Sequence, residues 1–174
     1  MKRAASIGLS LGLALVVFLA DQALKRLVEG SMQLGESAPL IPQVLCLTHT
    51  KNEGGAFGIL GGQTGVLLMG SAIAVVFVMW MLLKETPTRT TTLGCGLILG
   101  GAAGNLLDRL GTGEVTDYLD LEFWPLQRWP VFNAADVAIV LGAAILLLAS
   151  LRPEKAVQPP AADHRRNQKP TTDG

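Results

Sequence analysis

Six polar residues stand out in or beside the apolar segments of this chain: Asp21, Asn105, Arg109, Asp117, Asn133 and Asp136. Two carboxylates held close together cannot both ionise cheaply. One keeps its proton while the other acts as a base, so any two of these acids brought together can activate water and protonate a leaving amine. That chemistry hydrolyses a peptide bond without a serine, a cysteine or a metal. Each motif also has a local reading. In "FNAAD", Asn133 suits a helix N-cap and Asp136 its third position, where an acid meets the positive end of the dipole. Asp21 and Lys25, four apart, suit an ion pair near a membrane surface. Asn105, Asp108 and Arg109 share a helical face and suit a charge cluster at a helix end.

Other chemistries find little support. His49 and His164 are too few and too scattered for a zinc site, and no metal or other cofactor is expected. Cys46 and Cys95 lie in different kinds of segment and are not read as a disulfide. Gly54 and Gly55, in "KNEGGAFG", are too generic for a phosphate cradle. The formal net charge is zero, which suggests no nucleic-acid partner.

The elements that would position the acids are apolar helices. Of 174 residues, 49% are hydrophobic and 16% charged, too apolar a balance for an ordinary soluble domain. Crossing a hydrocarbon core takes about 20 apolar residues of helix. Four segments approach that length, and helices are expected at about 5–27, 64–83, 90–108 and 133–151. Met1-Lys2-Arg3 followed by an apolar run also fits a signal peptide, but the run continues into "DQALKRL" rather than a small-x-small cleavage site, so a retained helix is expected. Lys25 and Arg26 then fall near its end, within reach of headgroups. Gly96, Gly100 and Gly104, four apart, predict close helix packing.

With both termini in the cytoplasm, nine Lys and Arg residues lie inside and five outside, the favoured sense. The two long outer segments, 28–63 and 108–132, read as short strands that pair on the outer surface. The fold class expected is therefore a mainly α membrane protein, with four transmembrane helices and a small extracytoplasmic β-sheet. It forms one membrane domain, 1–151, and residues 152–174 read as a disordered cytoplasmic tail. In that topology Asp21, Asn105, Arg109, Asn133 and Asp136 all lie toward the outer helix ends, with Asp117 in the connecting segment. Ionisable groups at membrane depth are functional candidates.

Five ordered stretches carry a resemblance: "DQALK" at 21–25, "NEGGAFG" at 52–58, "GGAAGNLLDRL" at 100–110, "GEVTDYLDL" at 113–121 and "FNAADVAI" at 132–139. Together they resemble the lipoprotein signal peptidases, or signal peptidase II, over about residues 5–150. The resemblance implies an aspartic endopeptidase of the bacterial inner membrane, its active site at the outer face. It implies removal of the signal peptide from prolipoproteins, just before a diacylglyceryl-modified cysteine. The catalytic dyad then maps to Asp117 and Asp136, and the polar residues lining the site to Asn52, Asn105, Arg109 and Asn133. Asp21 and Lys25 map to a supporting pair. Gly55 departs from the pattern, where alanine is expected more often. The partners implied are the lipidated precursor and membrane lipid, with the enzyme a monomer. Two other classes remain open. A small transporter or proton channel would also use polar residues at membrane level, and an assembly protein would tolerate neutral replacements of the acids.

Overall fold

A computed structural model describes residues 3–53, 64–84 and 87–151. Gly54 and Gly55 and the tail 152–174 lie outside the described residues. Four helices and one sheet make up the rest. Helix α1 spans Arg3–Ser31, α2 Thr64–Lys84, α3 Arg89–Gly111 and α4 Ala134–Ser150. The strands are β1 (Ser37–Ile41), β2 (Leu45–Asn52) and β3 (Val115–Leu121).

Helix α3 is the centre of the bundle and packs against α1, α2 and α4. Its composition explains that position. A Cβ at Gly96 would meet the Ser10 carbonyl at 2.8 Å, and one at Gly100 the Ala14 carbonyl at 2.6 Å; one at Gly104 would collide with the Asp21 carboxylate. The stripe of three glycines, spaced four apart, is therefore the face on which the α1 backbone lies. A second stripe, not singled out from the sequence, faces α4. A Cβ at Gly94 would meet Leu146, one at Gly101 the Ala135 carbonyl, and one at Gly142 of α4 the Gly94 carbonyl at 2.7 Å. Small residues at such spacings let helices touch backbone to backbone, so packing replaces the hydrophobic force that lipid cannot supply. Helix α2 packs differently, with Val78 and Leu82 buried on Cys95 and Leu99 of α3. Cys46 and Cys95 are both free.

Burial on α1 is inverted relative to a water-soluble helix. Its buried positions are Ser6, Ser10, Asp21, Lys25 and Val28, while Leu9, Leu15, Val16, Leu19 and Leu27 are exposed. The other helices likewise expose Ile73, Val76, Phe77, Val140, Leu147 and Leu148. Apolar outward and polar inward is the arrangement a lipid solvent favours, because every polar group must find its partner inside. Helices α1 and α3 are long and apolar enough to cross a membrane; Leu68–Lys84 and Ala134–Ser150 are shorter apolar helices.

The three strands form one antiparallel sheet in the order β1-β2-β3. Thr50 faces Asp117 and Asn52 faces Val115 across β2 and β3, with a register shift between Leu47 and Thr50. The sheet is fastened to the C-terminal end of α1. The Glu29 carboxylate accepts from the Lys51 ammonium and from Thr116 Oγ1 (2.6 Å), and His49 Nδ1 lies 3.0 Å from the Met32 carbonyl. At the opposite end of the bundle, the Arg3 guanidinium donates to the Leu83 carbonyl. Sheet, α3 C-terminus and α4 N-terminus thus share one end, and the α1 start and α2 end share the other.

Candidate active site

The site is assembled where β3 passes the start of α4. Helix α3 ends at a Thr112 cap and turns through Gly113, whose φ of +83° favours glycine, and the chain re-enters at once as β3. Strand β3 then pairs with the chain just before α4, Phe132 N–H donating to the Leu119 carbonyl (3.0 Å) and Leu119 N–H to the Phe132 carbonyl (2.7 Å). This short ladder sets Asp117, on β3, beside Asn133 and Asp136.

Asn133 and Asp136 form a reciprocal capping box. Asp136 N–H donates to Asn133 Oδ1 (3.0 Å), and Asn133 N–H donates to Asp136 Oδ2 (3.2 Å). The neighbouring N–H groups of α4 are also capped, each from another element. Ala134 N–H donates to the Tyr118 hydroxyl (3.2 Å) and Ala135 N–H to Asp21 Oδ1 (3.0 Å). The local reading of "FNAAD" as a helix start is therefore right, and it does not compete with a site role.

Asn133 is fully buried and links the two acids. Its Nδ2 donates to Asp117 Oδ1 (2.6 Å) and lies 3.2 Å from Asn105 Oδ1. Asn52 Nδ2 donates to the other Asp117 oxygen (2.8 Å), and Asn105 Nδ2 donates to Asp136 Oδ1 (2.8 Å). Arg109 Nη1 donates to Ser71 Oγ (3.2 Å) and to the Asn105 carbonyl (3.5 Å). Burial is the largest influence on Asp117 and pushes its carboxyl up to about 6, helped by nearby Asp136; the bonds from Asn52 and Asn133 pull the other way. Burial likewise pushes the Tyr118 phenol up to about 12.

Asp117, Asp136, Asn52, Asn105 and Arg109 all line one pocket of about 510 Å³. Its remaining wall is apolar and includes Leu126, Trp129, Val131, Val137 and Val140. The pocket thus offers two acids and several N–H donors at one edge of a greasy groove.

Asp21 and Lys25 stand behind that lining, and here one expectation is corrected. Lys25 does not reach for headgroups. Helix α1 continues to Ser31, which leaves Lys25 within the bundle, 2% exposed and facing α3. Its ammonium is ion-paired with Asp21 Oδ2 (2.8 Å) and Asp108 Oδ2 (2.7 Å) and donates to Asn105 Oδ1 (2.9 Å). Two carboxylates and an amide oxygen surround it, so the buried charge is paired.

Asp120 lies apart, accepting from Thr48 Oγ1 (3.0 Å) and not lining the pocket. Sequence reasoning passed over Tyr118 and Gln22, whose Nε2 donates to Asp108 Oδ1 (2.9 Å). Gln22 stands inside "DQALK" and was legible only as an anonymous neighbour. The aromatic wall from Trp129 carries no motif at all. Among the described residues, no group of His, Cys, Asp and Glu is arranged to hold a metal ion.

A family model described as signal peptidase (SPase) II matches residues 13–152. A lipoprotein signal peptidase of Halothermothrix orenii is 43% identical over 141 residues, covering 81% of this chain and 94% of that protein. One of Halalkalibacterium halodurans is 41% identical, covering 82% and 91%. Among solved structures, a bacterial membrane enzyme determined by the in meso method at 2.3 Å resolution is 30% identical. It superposes with a TM-score of 0.79 over 87% of this chain and 96% of that one.

Proposed function

Because this chain belongs to the signal peptidase II family, we propose that it is an aspartic endopeptidase that removes signal peptides from prolipoproteins, with Asp117 and Asp136 as its reacting pair. One observation carries the assignment of the pair. Acids from two different elements line the same pocket and are both held by Asn133, whose side chain donates to the Asp117 carboxylate and whose backbone N–H donates to that of Asp136. A proton shared by the pair lets one carboxylate take a proton from water while the other delivers one to the departing amide nitrogen.

The attacked carbonyl also needs a donor for its developing charge. Asn133 and Asn105 already spend amide N–H groups on the acids. Arg109 carries five N–H donors and lines the same pocket, which makes it the best suited of the three.

The apolar wall beside the acids supports a substrate that is apolar on both sides of its scissile bond, a signal helix and a lipidated residue. The substrate is then a precursor carrying a diacylglyceryl cysteine, cut just before that residue. In this reading all four helices span the bacterial inner membrane, both termini and the tail are cytoplasmic, the acids face outward, and the enzyme works as a monomer. The inverted burial of α1 supports the membrane setting, and Arg3 and Lys84 at the end opposite the sheet support that orientation. The transporter alternative draws nothing from the family match.

The test uses purified protein with lipidated and unmodified precursors. The lipidated form should be cut, and Asp117→Asn and Asp136→Asn should each lower turnover by several orders of magnitude while still inserting. Asp120→Asn should be mild. Near-normal turnover in either of the first two variants overturns the pair.

A further inference from the structure

The Lys25 ammonium occupies a place that neither the pocket nor the helix packing explains by itself. It is a cation 2% exposed, held by Asp21 of its own helix and by Asp108 and Asn105 of α3. Asp108 is in turn held by Gln22 Nε2. Asn105 sits between this cation and the acid Asp136, 2.9 Å from one and 2.8 Å from the other. An ammonium can only donate, and an ionised carboxylate can only accept. The Asn105 amide therefore has one orientation that satisfies both neighbours, oxygen toward Lys25 and N–H toward Asp136.

We propose that Lys25 and Asp108 are positioning residues for the reaction: Asp108 holds the ammonium in place, and the ammonium fixes the Asn105 amide so that it donates to Asp136. The proposal rests on the reading of Asp136 as a reacting acid. It also explains an economy of the site. Asn133 Nδ2 shares the Asn105 oxygen at 3.2 Å while bonding Asp117 at 2.6 Å, so a turned Asn105 amide would set N–H against N–H. One misplaced amide would disturb both acids. Among the described residues, the charged and polar groups around Asp136 include Asn105 and Arg109 of α3, Asp117 and Tyr118 of β3 and Asn133 at its own helix start.

Lys25 and Asp108 do not line the pocket, so substrate affinity should not depend on them. Lys25→Met, Asn105→Ala and the double variant are compared by kcat and KM on lipidated precursor, per molecule of folded protein. Lys25→Met should lower kcat about 10-fold or more with little change in KM. The double variant should be no worse than Asn105→Ala alone, because Lys25 acts through that amide. The acid limb of the kcat profile should move the same way in both single variants. Losses that multiply in the double variant, or a pH profile that stays in place, overturn the relay. Should Lys25→Met fail to fold, Asp108→Asn serves: it should lower kcat with KM kept, and wild-type kcat and pH profile in that variant overturn the proposal. If the wild type leaves the lipidated precursor uncut, it is the functional reading that fails and not the relay.

Discussion

Asp117 is the residue on which the pH behaviour turns. Its carboxyl is pushed from 3.8 up to about 6 because burial penalises the charged form more than Asn52 and Asn133 favour it. A raised folded value means that the native site binds this proton more tightly than the unfolded chain. The stability it contributes is complete below the unfolded value and is lost as pH rises through about 6. A pair that needs one proton should lose turnover over the same range, with an alkaline limb belonging to the pair rather than to one acid. Asn52→Ala removes a donor that favours the ionised form, so it should shift that limb to higher pH. A limb that does not move in Asn52→Ala would show that Asp117 is not the group that titrates.

The start of α4 is a second determinant, at the scale of an element. Its first three N–H groups are taken by Tyr118, Asp21 and Asn133, from β3, α1 and its own cap. The helix is thereby pinned in position as well as capped. Asn133→Ala should cost about 1–2 kcal/mol for the cap alone, read as a lowered Tm in detergent. It should cost far more in kcat, because the side-chain bond that holds Asp117 beside the start of α4 goes with it. Loss of stability with kcat intact would leave Asn133 as a cap only. The glycine stripes of α3 are tested in the same way. Gly101→Leu would drive a side chain into the Ala135 carbonyl, one residue from Asp136, whereas Gly111→Ala meets open space. The first should sharply lower both Tm and activity and the second should change neither. A tolerated Gly101→Leu would mean that α3 and α4 do not approach as closely as described.

The whole molecule behaves as a frame with two unlike ends. One carries the sheet, the acids and the capped start of α4, and the other carries Arg3, Lys84 and the end of α4. Reporter fusions after Lys84 and Arg152 should report the cytoplasm, and fusions near Glu36 and Leu121 the outer side. A cytoplasmic signal at Leu121 would overturn the orientation and the location of the site together. Because lipid provides no partner for polar atoms, the bundle closes the charged and amide groups around the acids on one another. That is why the network from Gln22 to Asn52 runs unbroken across α1, α3, α4, β3 and β2.

The sequence by itself determined the helices, the packing stripe of Gly96, Gly100 and Gly104, and the cap of Asn133 and Asp136. The helices are written in long uncharged runs, and the stripe and the cap in spacings of three or four residues, which the helical period turns directly into shared faces. The same spacing offered Asp21 and Lys25 as an ion pair, and that much is correct. The tertiary structure alone decided what the pair is for. Asn105 and Asp108 lie some 80 residues further along the chain, and no local period reports that the packing of α1 on the glycines of α3 delivers Lys25 to them. The same holds for Asp117 and Asn52. They sit on neighbouring strands whose register includes a shift, and such pairing is set by the partner strand and not by either sequence. Asp120 is an aspartate like Asp117 and only three residues away. Only the sheet, by turning one toward the pocket and the other toward Thr48, separates them.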